Sequence, residues 1–466
     1  MLSLAQYDWK FNAWANQTTM HPAGLTMLGT CCLLILLLQR RVAALAFFLF
    51  SIFVSVNQRI VIAGLDFDFI RILVLVAMFR VVIRGELSSF RFRFQDGMLI
   101  AFVLVSSAAT IVRLGAAGLE NRLGFALTTL GIYFMMRVLL RSRADIIFLA
   151  RPLVAALALA MLFFMVEKTT GRNPFAFLGG VPELTVVRGG RLRCQGAFAH
   201  PIIAGVFFAM LVPYFVGLAL MDRRRIVLCG MGTGFCLLII FASSSSTPVS
   251  ALILGLIGWL FWKLRRNLSS IRWLALAFAV FIHLAMAHGI FHLLARIDFV
   301  GGSTGYHRYF LIDRAIANID EWFLVGQNAT GHWGIGLHDV TNQFVLEAVN
   351  GGILGLACFV GVIFAAFVSI SKTLRSTVGT PTEYLAYAFG VMMFVHVCVF
   401  ISLSYFGQMD MIWLFTLASV ETIAEETAST TSRRASSARR VAPGPRDVRP
   451  LGHASPVVAR DLGRTQ

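Results

Sequence analysis

Charge is what this sequence has least of. Only 14% of its 466 residues are charged, and aspartate and glutamate together number 23. A soluble domain carries roughly a quarter charged residues and could not keep a chain that is 58% apolar from water. An ordinary soluble fold is excluded. Cysteine is also sparse, and six of the seven (Cys31, Cys32, Cys229, Cys236, Cys358, Cys398) lie inside apolar runs, where a thiol acts as a small core residue. Cys194 alone falls in a loop, so no disulfide framework is expected. The opening M-L-S-L-A-Q-Y-D-W-K lacks a basic stretch followed by an apolar core. No cleavable signal is expected there, and the first span is expected to serve as the targeting signal.

What the chain has is long apolar runs. They recur at 16 to 20 residues, enough to cross a hydrocarbon core of roughly 30 Å, and mean hydropathy is +0.78. The expected fold is all-α, a polytopic bundle of 12 or 13 transmembrane helices. The expected spans run over 23–38, 42–57, 67–83, 97–112, 123–140, 146–166, 200–220, 226–242, 247–262, 273–292, 351–371, 384–401 and 406–423.

The net charge of +17 does not imply a nucleic-acid partner, because the basic residues sit in short loops. Arg40-Arg41, Arg84/Arg91/Arg93, Arg141/Arg143, Arg223-Arg224-Arg225, Lys263/Arg265/Arg266/Arg272 and Lys372/Arg375 occupy alternate loops, and the tail completes the set. The positive-inside rule makes that side cytoplasmic. The other side then owns two long periplasmic segments, about 168–199 and 293–350, the second carrying short helices. The membrane domain is expected over 1–425. The segment 426–466, with eight arginines and two aspartates, reads as a disordered basic cytoplasmic tail near anionic headgroups. No internal repeat is visible.

Arginine on the outer side runs against the topology rule and needs a reason. V-V-R-G-G-R-L-R-C-Q-G-A-F-A-H-P carries Arg188, Arg191 and Arg193 just before Pro201, and G-Y-H-R-Y-F-L-I-D-R-A carries Arg308 and Arg314 on an expected amphipathic helix. A guanidinium binds phosphate oxygens bidentately and stays charged at physiological pH. Two such segments point to an anionic group, such as a lipid diphosphate, at the outer boundary. The alternative is solvated or snorkelling loop arginine.

Histidines gather here as well: His283, His288, His292, His307, His332 and His338. Zinc needs three or four converging ligands, and no carboxylate or thiol completes a set, so no metal or other cofactor is expected. His307 and His338 are candidate general bases or polar loop residues. In L-H-D-V-T-N-Q-F-V-L-E-A-V-N-G-G-I-L-G-L, Asn342 and Glu347 precede a span that opens on Gly351, Gly352 and Gly355. Polar groups at a span mouth are costly unless paired or working. Glu347 is read equally well as a working carboxylate or as a salt-bridge partner of a loop arginine. The glycines would let a helix or a lipid carrier approach the backbone closely.

At these residues the chain resembles the bacterial O-antigen ligase and surface-polysaccharide polymerase superfamily, at motif level over about 186–356. R-L-R-C-Q-G-A-F-A-H-P resembles that family's Arg-x-x-Gly-x-Phe-x-Asn-Pro element, with Arg193 on its arginine and His200 in the asparagine place. S-S-S-S-T-P-V-S-A-L is similar to its Ser-rich span opening, without the usual arginine. Arg308 falls on the second arginine element, and Asn342, Gly352 and Gly355 fall in register with the ligase signature. Thr341 stands where that signature has histidine.

The resemblance implies an integral-membrane glycosyltransferase at the periplasmic face of the inner membrane. It would polymerise undecaprenyl-diphosphate-linked repeat units, or alternatively, as a ligase, transfer glycan to lipid A-core. In that reading Arg193 and Arg308 meet the diphosphate with Arg191 and Arg314 in support, and His338 or Glu347 is the base. His200, His307, Thr341 and Asn342 are further substrate contacts, and membrane lipids and a chain-length regulator are further candidate partners. A transporter is the rival class, kept open by Arg71, Arg137 and Asp410 in or near spans.

Overall fold

The computed structural model describes residues 17–62, 65–286 and 305–441. Residues up to Thr427 form one compact unit of helices. In chain order these are α1 Pro22–Leu37, α2 Arg40–Phe53, α3 Phe69–Ile83, α4 Phe94–Leu114, α5 Ala116–Leu139, α6 Arg143–Phe148 and α7 Ala150–Thr170. There follow α8 Pro201–Met221, α9 Ile226–Ser243, α10 Ser246–Leu260, α11 Leu268–Ala285, α12 Gly305–Ala317, α13 Ile319–Trp322, α14 Gln343–Ser376, α15 Pro381–Phe400 and α16 Gln408–Val441.

Among the described residues, eight helices are long and apolar enough to cross a membrane: α4, α5, α6 run on into α7, α8, α9, α10 with the turn after it, α14 and α15. The other five expected spans coincide with α1, α2, α3, α11 and α16. At 14 residues α2 is only about 21 Å long. The innermost helix is α8, whose aromatic side chains Phe207, Phe208, Tyr214 and Phe215 have no exposure at all. One expected boundary moves. α16 continues across the boundary at 425 as far as Val441, and residues 442–466 lie outside the described residues.

Strands are few but well placed. Hairpin β1 Arg59–Ile62 with β2 Leu65–Asp68 precedes α3, and hairpin β3 Val186–Arg188 with β4 Arg191–Arg193 turns through Gly189 and Gly190. The first outer segment is therefore folded, where the sequence promised only loop. Arg191, at the hairpin turn, is exposed, whereas Arg193, at the other end of β4 where the strand meets the bundle, is only 6% exposed.

The two ends of the bundle are held by different chemistry. At one end arginines of the short loops form ion pairs: Arg40–Asp145 at 2.9 Å, Arg93–Glu421 at 2.5 Å, Arg137–Asp96 at 2.8 Å and Arg265–Glu383 at 2.5 Å. At the other end the links are mostly hydrogen bonds to neutral partners. Gln58 Nε2 donates to Leu178 O at 2.6 Å, Asn342 Nδ2 to Ile401 O at 2.9 Å and Gln408 Nε2 to Ala197 O at 3.0 Å. That end has ion pairs as well, among them Arg59–Asp66 at 2.6 Å and Arg71–Asp68 at 3.4 Å.

At Gly352 (φ +65°) α14 breaks its helical course. Ile353 N donates to Phe323 O and Gln327 N to Val349 O, both at 2.8 Å, so the interrupted ladder is satisfied by the strand of chain 323–327. A Cβ on Gly352 would collide with the Leu324 carbonyl, and one on Gly326 with the Val349 carbonyl. The close approach expected of a helix or a lipid carrier is made by the chain's own second outer segment.

Candidate functional site

The site lies at the other end, around Ser244 and Ser245, which join α9 to α10, and Ser246 and Thr247, which open α10. Ser244 takes a left-handed backbone (φ +45°), which turns the chain sharply. Three cations from three separate parts of the sequence converge on this turn. Lys168, at the end of α7, donates from Nζ to Ser244 Oγ and to Leu192 O, both at 2.7 Å. Arg193 donates from Nη2 to Ser245 Oγ at 2.7 Å, and Arg308 on α12 donates from Nη2 to Thr247 Oγ1 at 2.9 Å.

The platform beneath them is rigid for a stated reason. Glu167 has no exposure, and its carboxylate accepts from Gln195 N at 3.0 Å, Gly196 N at 2.9 Å and Thr185 Oγ1 at 3.1 Å. Asn173 Nδ2 adds a bond to Gly196 O at 2.8 Å, and Cys194 N bonds Ala242 O at 3.2 Å. The loop that carries Arg193 is thereby pinned to α7 on one side and α9 on the other. Burial raises the Cys194 thiol to about 12, which leaves it without thiolate chemistry.

The three charged side chains bonded to the turn are all cations, with the Glu167 carboxylate within electrostatic reach of Lys168. The start of the 15-residue α10 presents the positive end of its backbone dipole, and Ser245, its N-cap, makes no side-chain bond into the first turn. Among the described residues no carboxylate pairs with Arg308 or Lys168, and Arg308 Nε is buried without a hydrogen-bond partner. Burial pulls the Arg308 guanidinium below its ordinary value, with no acid opposing the shift. Three fixed cations at a helix N-terminus repel one another. Cations set near a helix N-terminus favour an anion that can take several hydrogen bonds.

Beside Arg308 stands a group of titratable residues. His307 lies within electrostatic reach of Asp339, Arg308 and His338. Burial lowers the His307 imidazole, and the Asp339 carboxylate and a hydrogen bond with the Asp339 backbone act against that. His338 is exposed, and Thr341, three residues on, has its Oγ1 buried without a hydrogen-bond partner.

The remaining expected residues are placed elsewhere or are engaged. His200 caps α8, its Nδ1 accepting from Ile202 N at 3.0 Å ahead of Pro201. Asn342 caps α14 through Val345 N at 3.0 Å while its amide holds Ile401 O, so both ends of that side chain serve the fold. Arg191 is exposed at the hairpin turn, and Arg314 stacks over Phe310 at 5.0 Å. Neither reaches the hydroxyl turn through a bond among the described residues.

Glu347 is 4% exposed and takes Gln343 Nε2 at 2.6 Å; its charged neighbours are Arg122 and Asp410. The salt bridge to Arg308 or Arg314 weighed from the sequence does not form. Glu347 is buried in the short helical stretch before Gly352, within electrostatic reach of Arg122 and Asp410 instead. Of the charges that favoured a transporter, Arg137 is consumed by Asp96 at 2.8 Å and Glu425 at 3.0 Å, and Arg71 by Asp68 at 3.4 Å. His288 and His292 lie outside the described residues, and His283 is placed only by its backbone.

Lys168 was not legible as part of a site, and Ser245 and Thr247 were marked only as part of the Ser-rich span opening, with no role assigned. The only trace of Lys168 is the Glu-Lys pair that closes a long apolar run. No protein-family model matches this chain, and no curated protein matches it at a significant level.

Proposed function

We propose that this protein is a membrane glycosyltransferase that polymerises undecaprenyl-diphosphate-linked oligosaccharide repeat units at the outer face of the bacterial inner membrane. The observation that carries this reading is the convergence of Lys168, Arg193 and Arg308 on the Ser244–Thr247 turn. A diphosphate is the anion whose size and charge such a triad fits, and the basic loops at the opposite end of the bundle argue that the triad faces outward.

In the reaction the acceptor hydroxyl oxygen forms a bond to the anomeric carbon of the donor glycan. The bond from that carbon to the diphosphate oxygen breaks, its electron pair leaving with undecaprenyl diphosphate. Arg193, Arg308 and Lys168 stabilise the charge that grows on the leaving oxygens. The acceptor proton passes to His338, with His307 and Asp339 beside it. Polymerase is preferred to ligase because Thr341, which cannot take up a proton near neutral pH, occupies the position of the ligase histidine.

The test is the purified protein in lipid nanodiscs with lipid-linked repeat units, read by gel and mass spectrometry. A ladder of elongated lipid-linked chains is expected. Transfer to added lipid A-core alone would replace polymerase by ligase, and no transfer to either acceptor would remove the enzyme reading.

A further inference from the structure

Glu347 and Arg122 are opposite charges buried close together that do not bond. Glu347 is 4% and Arg122 8% exposed, and each lies within electrostatic reach of the other. Yet Glu347 Oε2 and Arg122 Nε are both buried without a hydrogen-bond partner among the described residues. Gln343 cannot close the gap, since its Nε2 is given to Glu347 Oε1 at 2.6 Å and its Oε1 accepts from Tyr405 N at 2.5 Å. Asp410, in the first turn of α16, is within reach of Glu347, and no described residue hydrogen-bonds its carboxylate. Its side chain keeps partial exposure.

Buried charges left this way are costly, and a single kind of chemical group relieves all three. A hydroxyl donates to a carboxylate oxygen and accepts from a guanidinium N–H at the same time. Neighbouring hydroxyls on one sugar ring can serve Glu347, Arg122 and Asp410 together. A phosphate is disfavoured, because Arg122 with its neighbour Arg113 faces Glu347 and Asp410, and Asp410 in turn has Asp68 and Arg71 as neighbours, which leaves no excess positive charge. We propose that the space bounded by Arg122 on α5, Glu347 on α14 and Asp410 on α16 binds a neutral, hydroxyl-rich saccharide, the terminal sugar of the acceptor glycan. The assignment to the acceptor rests on the diphosphate reading above; the saccharide chemistry does not.

Two probes separate these statements, measured by calorimetry on the full chain in nanodiscs. One is a phosphate-free oligosaccharide cut from the producing cell's own surface polymer. The other is inorganic pyrophosphate. Arg122→Gln and Glu347→Gln are each expected to weaken saccharide binding at least about tenfold and to leave pyrophosphate binding unchanged. Arg308→Lys is expected to do the reverse. Retained pyrophosphate binding certifies that a variant is folded, and full saccharide affinity in either folded variant overturns the proposal. So does a wild-type protein that binds no saccharide, since the space then holds water only. Pyrophosphate that fails to bind the wild type would sink the diphosphate reading and leave the saccharide site standing.

Discussion

Arg308 donates to Thr247 Oγ1 at 2.9 Å across 61 positions of sequence. One contact thus joins the second outer segment to the turn between two transmembrane helices, and it sets Arg308 beside Lys168 and Arg193. Each of those cations is held by a hydroxyl or a carbonyl of the protein. A hydroxyl orients a guanidinium without neutralising it.

Arg193→Lys and Arg308→Lys keep the charge and lose the planar fork. Each is expected to lower polymer formation by about 10²-fold or more, the scale of one lost transition-state donor, with normal accumulation in the membrane. Lys168→Met should fall into the same class, whereas Arg188→Lys, on the outer strand of the hairpin, should be mild. Wild-type polymer from the first three would show the triad to be structural.

The proton acceptor separates by substitution. His338→Ala is expected to cost about 10²–10⁴-fold in turnover, and Thr341→Ala little. Thr341→His should preserve or raise transfer. A steep loss in Thr341→Ala with His338→Ala unaffected would place proton transfer on the wrong side chain.

Acid sensitivity follows from His307. Burial lowers its folded-state pKa below the ordinary histidine value of 6.5, so the unfolded chain binds its proton first as pH falls. Its contribution to stability is complete above pH about 6.5 and is lost as pH drops through the lower, folded value. Thermal unfolding from pH 8 to 5 should show a decline that His307→Gln flattens. A decline of the same size in that variant would assign the effect to other groups.

The ion-paired end makes a separate claim. Arg137 is buried between Asp96 and Glu425, and Tyr133 Oη donates to Asp96 at 2.6 Å. Removing one member of a buried pair costs about 3–5 kcal/mol, so Arg137→Ala should lower the unfolding temperature or fail to accumulate. Arg172→Ala, which breaks an exposed pair with Glu183, should change stability by no more than about 1 kcal/mol.

Orientation is checked by reporter fusions. Those after Ser245 and Gly334 should read periplasmic, and those after Arg225, Arg266 and Ser436 cytoplasmic. The Arg308–Thr247 bond requires the segments carrying Ser245 and Gly334 to agree with each other. A cytoplasmic Gly334 would move the triad away from the face where finished lipid-linked glycans are presented.

By itself the sequence determined that this is an all-α membrane bundle, because long apolar runs have no other way to leave water and satisfy their backbone. It determined the alternation of loops, since arginine density is a local quantity. It also marked Arg193 and Arg308, which stand out by contradicting that alternation. Only the tertiary structure decided what those arginines share. Their meeting point is a run of serines and a threonine that carry no charge signal, and Lys168 joins them from the end of an unremarkable apolar helix. Asn342 and His200 looked like ligands and became caps, because a helix start needs an acceptor at that place. Glu347 has Arg122 as its cationic neighbour rather than Arg308, a pairing across more than 200 positions that only the packing of helices could set. Charge and hydropathy are written residue by residue, whereas a partner is fixed only when distant helices pack.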